Sequence, residues 1–410
     1  MGRDFSSFTY DHRQEWGEMT VTGRDRRRPN DQNPSRKGIR GGAALLLAAT
    51  LFLGGCSGNT NSSGPAAPLP TGQTGSIEAA NSTNGNCYVS DTSACSSPYT
   101  GTHPITALAT LQGTSNTLYV GDSAGDITEA TVTSTPPTST TSCTPLSTKV
   151  LALAANSTAL LYATSGGISG YQSSTCSSSI SITSASAITN TSGLTYNTGA
   201  SEFVGVTSNA NYFTCTTTNT PSGSCQTPQR LPSLQDASPS ITAIASDPTQ
   251  PIVYILSIGA STNRIYFYYV NGNTLTYLGN YSGLELNYPS GVALFRGANP
   301  TQNYCQTGHC TFMDVTNTGN STITQYVVTY SGSGPSTSVY VNQFNNAYFD
   351  CDLIDSAAIA SFPNYNQSTN LLPTPDVFVG EQGTSYGSCM GTSSAASYGK
   401  NVTAYTIVGE

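Results

Sequence analysis

Three stretches of the chain read alike: ITALATLQGTSNTLYVGDSAGDITEATV from Ile105, VLALAANSTALLYATSGGISGYQ from Val150, and ITAIASDPTQPIVYILSIGASTNRIYFYYV from Ile241. Each runs as an alternating apolar strand, a polar turn, a second strand centred on a Tyr, a Gly or Asn turn, and a third strand. Weaker copies begin near Ile188, Gly291 and Ser356. A repeat of roughly 40 to 65 residues holding several short strands points to sheets stacked radially. A small antiparallel sheet with two apolar faces must cover both, and a ring of neighbours does so. Ala107, Ala109, Ala152, Ala154, Ala243 and Ala245 in the first strands suit the crowded axis, while Tyr119, Tyr162, Tyr254, Tyr266, Tyr268 and Tyr326 fill the wider layers outside. The expected fold is all-β, a six-bladed β-propeller. Seven blades or stacked β-sandwiches are the alternatives.

Composition agrees. Of 410 residues only 9% are charged, with 40 Gly and 22 Pro, whereas exposed helix faces need Glu, Lys, Arg and Ala. Nine of the 14 basic and six of the 22 acidic residues precede Cys56, which leaves a net charge of −11 on the rest. Nothing there can neutralise a row of phosphates, so no nucleic-acid partner is expected.

Ahead of the repeats, a basic flank (RKGIRGG, 36–42) leads into an eleven-residue apolar run (AALLLAATLFL, 43–53) that is too short to span a bilayer. Leu53-Gly54-Gly55-Cys56 then resembles the bacterial lipobox. The resemblance implies a signal peptide over 1–55 and a palmitate-type lipid on Cys56, which becomes the first residue of a lipoprotein. Residues 56–75, rich in Gly, Pro, Ser and Asn, form a tether, and 76–410 form the propeller. By the same resemblance, Ser57 in place of Asp favours the outer membrane of a Gram-negative cell envelope. The basic region of about forty residues departs from the usual length.

Ten further cysteines, an even number, read as disulfides in an oxidising compartment. Short spacings suggest Cys87 with Cys95, Cys215 with Cys225 and Cys305 with Cys310, leaving Cys143, Cys176, Cys351 and Cys389 to pair as the first two and the last two. Connectivity is not fixed by sequence. Cys305, His309 and Cys310 offer only three zinc ligands at unsuitable spacing, so no metal is expected.

The turns GDSAGDI (121–127), STNRI (261–265) and NTGNSTI (317–323) look like those of NHL-type and lactonase-like propellers. The likeness covers about 105–408. The metal ligands of such enzymes should recur at the starts of inner strands, and they do not. No GxSxG nucleophile elbow occurs in the repeats. Candidate ligand-face residues are His103 at the entrance to the first unit, Asp122 and Asp126 flanking a Gly turn, Arg264 in the corresponding turn of another unit, and Asp350, Asp352 and Asp355. The last three can hold Ca2+ only without the Gly turn and bidentate Glu of known loops, so no cofactor is expected. Function therefore reads as a monomeric, lipid-anchored binding or scaffold module for protein or glycan partners. An envelope enzyme of lactonase or lyase type with a site at the channel is the alternative, and the sequence decides no enzymatic activity.

Overall fold

The structure is a computed structural model. It describes residues 103–361 apart from 112–116, 132–138, 144, 174–175, 177, 185, 218–221, 299–308, 320–321 and 349–355, together with strands at 76–81, 85–88, 99–100, 377–381 and 401–408. The described strands form five sheets, of six, nine, four, four and four strands; the nine-stranded sheet is two antiparallel units joined at their outer strands, so that six antiparallel units result, each with its first strand innermost. The inner strands are Ile105–Leu111, Ala152–Ala155, Thr191–Asn197, Ser240–Ser246, Pro289–Ala298 and Ser356–Ser361. Each neighbours the next, and the sixth neighbours the first, so the ring closes. The chain is a β-propeller.

Both faces of a blade are buried, as the sequence period requires. In Arg264–Asn271 of the fourth blade, Tyr266, Tyr268 and Val270 pack with Val204, Val206 and Tyr212 of the third. The alternate residues, Ile265 and Phe267, pack with Met313, Val315 and Tyr326 of the fifth. Burying each such side chain contributes roughly 1.5–3 kcal/mol.

At the axis the six inner strands share one local pattern, a small residue followed by an aliphatic one: Ala107-Leu108, Ala152-Leu153, Gly193-Leu194, Ala243-Ile244, Gly291-Val292 and Ala358-Ile359. The aliphatic side chain of each blade seats against the small residue of the blade before it. Leu153 clusters with Ala107, Leu194 with Ala152, Val292 against Ala243, and Leu108 with Ala358. At the two glycines the approach is closest. A Cβ on Gly193 would stand 2.9 Å from both Cγ2 and the backbone N of Ile244, and one on Gly291 would stand 2.9 Å from Cγ2 of Ile359.

In five blades the inner ladder shifts register just before this pair, with Thr106, Ser192, Thr242, Ser290 and Ala357 as the extra residues. A bulge re-aims its side chain sideways. Thr106 Oγ1 donates to the carbonyl of Val150 at 2.5 Å, and Thr242 Oγ1 to that of Pro289 at 2.8 Å, each in the following blade.

The rim carries its own fasteners. Cys143 and Cys176 form a disulfide from the end of the first blade's outer strand (Ser139–Ser142) to the second blade. The second and third blades are joined by parallel pairing of their outer strands, Ser179–Ser184 with Ser222–Cys225. Cys215 and Cys225 form a second disulfide across opposed positions within the third blade. Both bridges match the expected pairs. The side chains of Cys87 and Cys310, and all of Cys95, Cys305, Cys351 and Cys389, lie outside the described residues.

The sixth blade is closed by the beginning of the propeller. Ser76–Asn81 pairs with Asn401–Val408, with Ser76 opposite Val408 and Ala79 opposite Tyr405. By sequence alone, the segment 86–90, with Tyr88 and Val89, is the expected strand for this pairing. Instead Gly85–Tyr88 folds back outside Ser76–Asn81 as a further strand. β propensity favoured the segment with Tyr and Val over SIEAAN, but the free ladder edge of Asn401–Val408 selects by backbone, and the hairpin places the earlier segment there.

Two outcomes follow. Gly193→Val should lower the unfolding free energy by about 1–3 kcal/mol, since the Ile244 backbone cannot retreat; a urea midpoint equal to the parent's would refute the axial contact. Deleting 76–88 should lower the melting temperature sharply in differential scanning fluorimetry, and deleting 57–75 should leave it nearly unchanged. Equal effects would show that closure is made elsewhere.

Candidate functional site

One face of the ring carries the loops that lead into the inner strands and the turns between second and third strands. Ile105 stands opposite Asp122 in the first blade's ladder, which brings His103, two residues upstream, over the turn at 122–126. Asp122 Oδ1 accepts the backbone N–H groups of Ala124, Gly125 and Asp126, each at 2.9 Å. Gly125 has φ +101°, and a Cβ there would meet the Thr148 carbonyl oxygen at 2.6 Å, so the turn requires glycine. His103 Nδ1 lies 3.4 Å from Asp122 Oδ2 and 3.9 Å from Asp126 Oδ2. The structure thus brings three sequence candidates together, with ligand atoms all within 4.8 Å of one another. The buried carboxylate of Asp122 closes the turn, and the exposed imidazole sits above it.

Arg264 opens the third strand of the fourth blade and points inward. Its Nε is 3.6 Å from Asp236 Oδ2, and Nη1 donates to Asn280 Oδ1 at 3.0 Å. Asp236 Oδ2 also accepts the Tyr266 hydroxyl at 3.1 Å. Burial, reinforced by the Asp236 carboxylate, pushes the Tyr266 pKa up to about 12. Arg264 is therefore occupied in holding the loop before the fourth blade. Asp350, Asp352 and Asp355 lie outside the described residues.

The same face carries a feature absent from the sequence reading, the loop 282–288 (SGLELNY) between the fourth and fifth blades. Among the described residues the exposed large hydrophobics are Leu284, 99% exposed, and Tyr288, 59% exposed, and both are in this loop. The residues between them are tied down. Glu285 Oε1 accepts the hydroxyls of Tyr281 at 2.5 Å and Tyr326 at 3.1 Å. Leu286 is buried between the two blades, and its carbonyl accepts Asn263 Nδ2 at 2.8 Å. The Asn287 N–H donates to Asn317 Oδ1 at 3.1 Å, and the Tyr288 carbonyl accepts both the N–H and the hydroxyl of Thr318.

Tyr288 itself is held at φ +51°. That conformation costs an aromatic residue about 1–2 kcal/mol and persists only where the surroundings impose it. Burial and the bond to Glu285 raise the pKa of Tyr281 far above the usual phenol range, and burial beside Glu285 does the same for Tyr326, so both remain donors. The sequence signal was present as Gly283-Leu284-Glu285, an apolar residue in a turn, but only the fold shows that no described residue covers it.

Toward the opposite end, residues of all six inner strands surround a cavity of about 470 Å3 on the axis. Its wall includes the six aliphatic residues of the axial pattern. Beside it Asp247 is fully buried; Oδ1 accepts the Thr249 N–H, the Thr249 hydroxyl and the Gln250 N–H, and Oδ2 accepts the Tyr330 hydroxyl. Burial raises its pKa, and these donors pull it back.

With the geometry in view, likeness to known proteins is confined to the fold. No protein-family model matches the chain, and no curated protein matches it. Among solved structures it is similar to the WD40 repeats of RRP9, at 10% identity and a TM-score of 0.47 over 81% of this chain and 100% of that one. It is also similar to the N-terminal domain of Nup159, at 10% identity and a TM-score of 0.38 over 71% and 73%. The only Trp of the chain, Trp16, precedes the blades.

The anchoring of loop 282–288 can be tested directly. Glu285→Ala removes the acceptor of two buried hydroxyls and should raise chymotryptic cleavage after Leu284 about tenfold or more. Glu285→Gln, which keeps an acceptor oxygen, should stay close to the parent. Parent-like cleavage of both variants would show that Glu285 does not hold the loop.

Proposed function

We propose that this protein is a lipid-anchored β-propeller of the bacterial cell envelope that acts as a binding or scaffold module for a protein partner. The observation that carries this reading is the loop 282–288, which presents Leu284 and Tyr288 to solvent from a backbone fixed on both sides. Interface energy concentrates in a few apolar and aromatic anchors, and a loop already held in one conformation loses little entropy when it docks. The basic flank, short apolar run and Leu53-Gly54-Gly55-Cys56 support export and acylation, with Ser57 favouring the outer membrane. Residues 56–75 then hold the propeller off the lipid surface.

One experiment examines both halves of the proposal. The parent, Cys56→Ser, and the double variant Leu284→Ser with Tyr288→Ser are expressed in a bacterial host and cross-linked in intact cells. The parent should fractionate with membranes and cross-link to a discrete envelope protein. Cys56→Ser should remain an unacylated precursor. The double variant should stay acylated and folded while losing about tenfold or more of the cross-linked product. A variant that cross-links as well as the parent would remove the loop from the interface, and lipid on Cys56→Ser would remove the anchor.

A further inference from the structure

His103, Asp122 and Asp126 lie in the first blade, and what they do is independent of the reading drawn from loop 282–288. We propose that they bind one divalent ion of the zinc type, which clips the segment arriving from the sixth blade to the first. The observation behind this is a single oxygen atom. Asp122 is only 3% exposed, and its Oδ1 accepts three backbone N–H groups. Its Oδ2 receives no hydrogen bond from a described residue and faces His103 Nδ1 at 3.4 Å, longer than a hydrogen bond. A buried carboxylate oxygen without a donor is costly, and a second carboxylate, that of Asp126, stands close by. Among the described residues no Lys or Arg pairs with either aspartate. A cation between the three side chains satisfies both carboxylates at once.

The ligand set selects the ion. Around a tetrahedral ion with ligands at roughly 2.0–2.2 Å, neighbouring ligand atoms stand about 3.3–3.6 Å apart. The 3.4 Å between His103 Nδ1 and Asp122 Oδ2 falls in that range. Asp126 Oδ2 is 3.9 Å from the imidazole, and its side chain, 43% exposed, has room to rotate closer. The three N–H groups on Oδ1 fix the Asp122 carboxylate before any ion arrives, as the outer hydrogen bonds of metal ligands do. One imidazole nitrogen with two carboxylates suits zinc and its neighbours, whereas Ca2+ takes roughly six to eight oxygens and Mg2+ a near-ideal octahedron. The fourth position is left to water.

The place of the site in the ring gives the ion a role. Tyr99–Thr100 pairs with Val402 and Asn401 of the last strand, in the sixth blade, and His103 follows three residues later. Asp122 and Asp126 belong to the first blade, where the Ser123 N–H donates to the Pro104 carbonyl at 2.9 Å. An ion held by all three side chains therefore ties the crossing segment to the first blade, at the boundary where the two ends of the propeller meet. His103 is far from the two aspartates in sequence, so the fold assembles the set.

The test uses tag-free protein, stripped of metal with a chelator and titrated with Zn2+ in a calorimeter. One ion should bind per chain, and millimolar Ca2+ or Mg2+ should not displace it. Asp126→Asn and His103→Gln each remove a ligand at a partly exposed position. Both should weaken Zn2+ binding about tenfold or more, while their metal-free melting temperatures stay near the parent's. Saturating Zn2+ should raise the melting temperature of the parent by about 2–5 °C and leave both variants nearly unmoved. Co2+ in place of Zn2+ should give weak visible bands without the intense near-ultraviolet absorption of a thiolate ligand, which separates this site from Cys305 and Cys310. The Leu284→Ser, Tyr288→Ser variant should bind Zn2+ as the parent does. The proposal fails if the parent binds no Zn2+, if Asp126→Asn and His103→Gln bind it as tightly, or if Ca2+ displaces it. Thiolate absorption with Co2+, or a parental melting temperature that Zn2+ does not move, overturns it equally.

Discussion

The structure depends on how closely its inner strands approach one another. Where Ile244 lies against Gly193 and Ile359 against Gly291, there is no room for even a methyl group without displacement of a backbone atom or a neighbouring side chain. The four other boundaries use alanine for the same purpose. Packing of this density resists continuous deformation, so the relative position of two blades is set within a narrow range at the axis. The bulges at Thr106 and Thr242 then turn residues that would otherwise break the ladder into lateral hydrogen-bond donors.

Distance from the axis changes what holds the blades together. At mid-radius, aromatic residues such as Tyr254, Phe267 and Tyr326 fill widening wedges. At the rim, where the sheets splay apart, the first three blades are linked by the Cys143–Cys176 bridge and by the parallel pairing of 179–184 with 222–225. The loop 282–288 lies between the fourth and fifth blades, beyond these rim fasteners. It relies instead on polar contacts from below, through Glu285, Asn317 and Thr318. The result is an apolar tip on a polar, rigid base, a combination that suits recognition better than core building.

The inner three strands of most blades were legible because both of their faces are buried, which writes an apolar period of two into stretches such as IVYILSI and RIYFYYVN. The outer strands were not. STTS, SISITS and SGSC have little apolar content, and their place is set by ladder pairing with a strand already in position. His103, Asp122 and Asp126 were found because turn chemistry is local and Asp-x-x-Gly announces it. Leu284 and Tyr288 escaped notice for the opposite reason. An apolar residue in a turn normally finds cover from some distant element, and only the closed ring shows that here none of the described elements supplies it.

The pairing of Ser76–Asn81 with Asn401–Val408 means that the earliest and latest strands of the propeller to leave the ribosome are hydrogen-bonded neighbours. Ser76–Asn81 has only its hairpin partner Gly85–Tyr88 while the six inner strands are being made, and the ring cannot shut until Asn401–Val408 has been made. A chain that stops before Asn401 keeps an open, sticky sheet edge and a gap between the last blade and the first strand. Synthesis of Asn401–Val408 and closure of the fold are thus a single event, which gives quality control a ready criterion: a product cut short before this strand exposes pairing edges that the closed ring conceals.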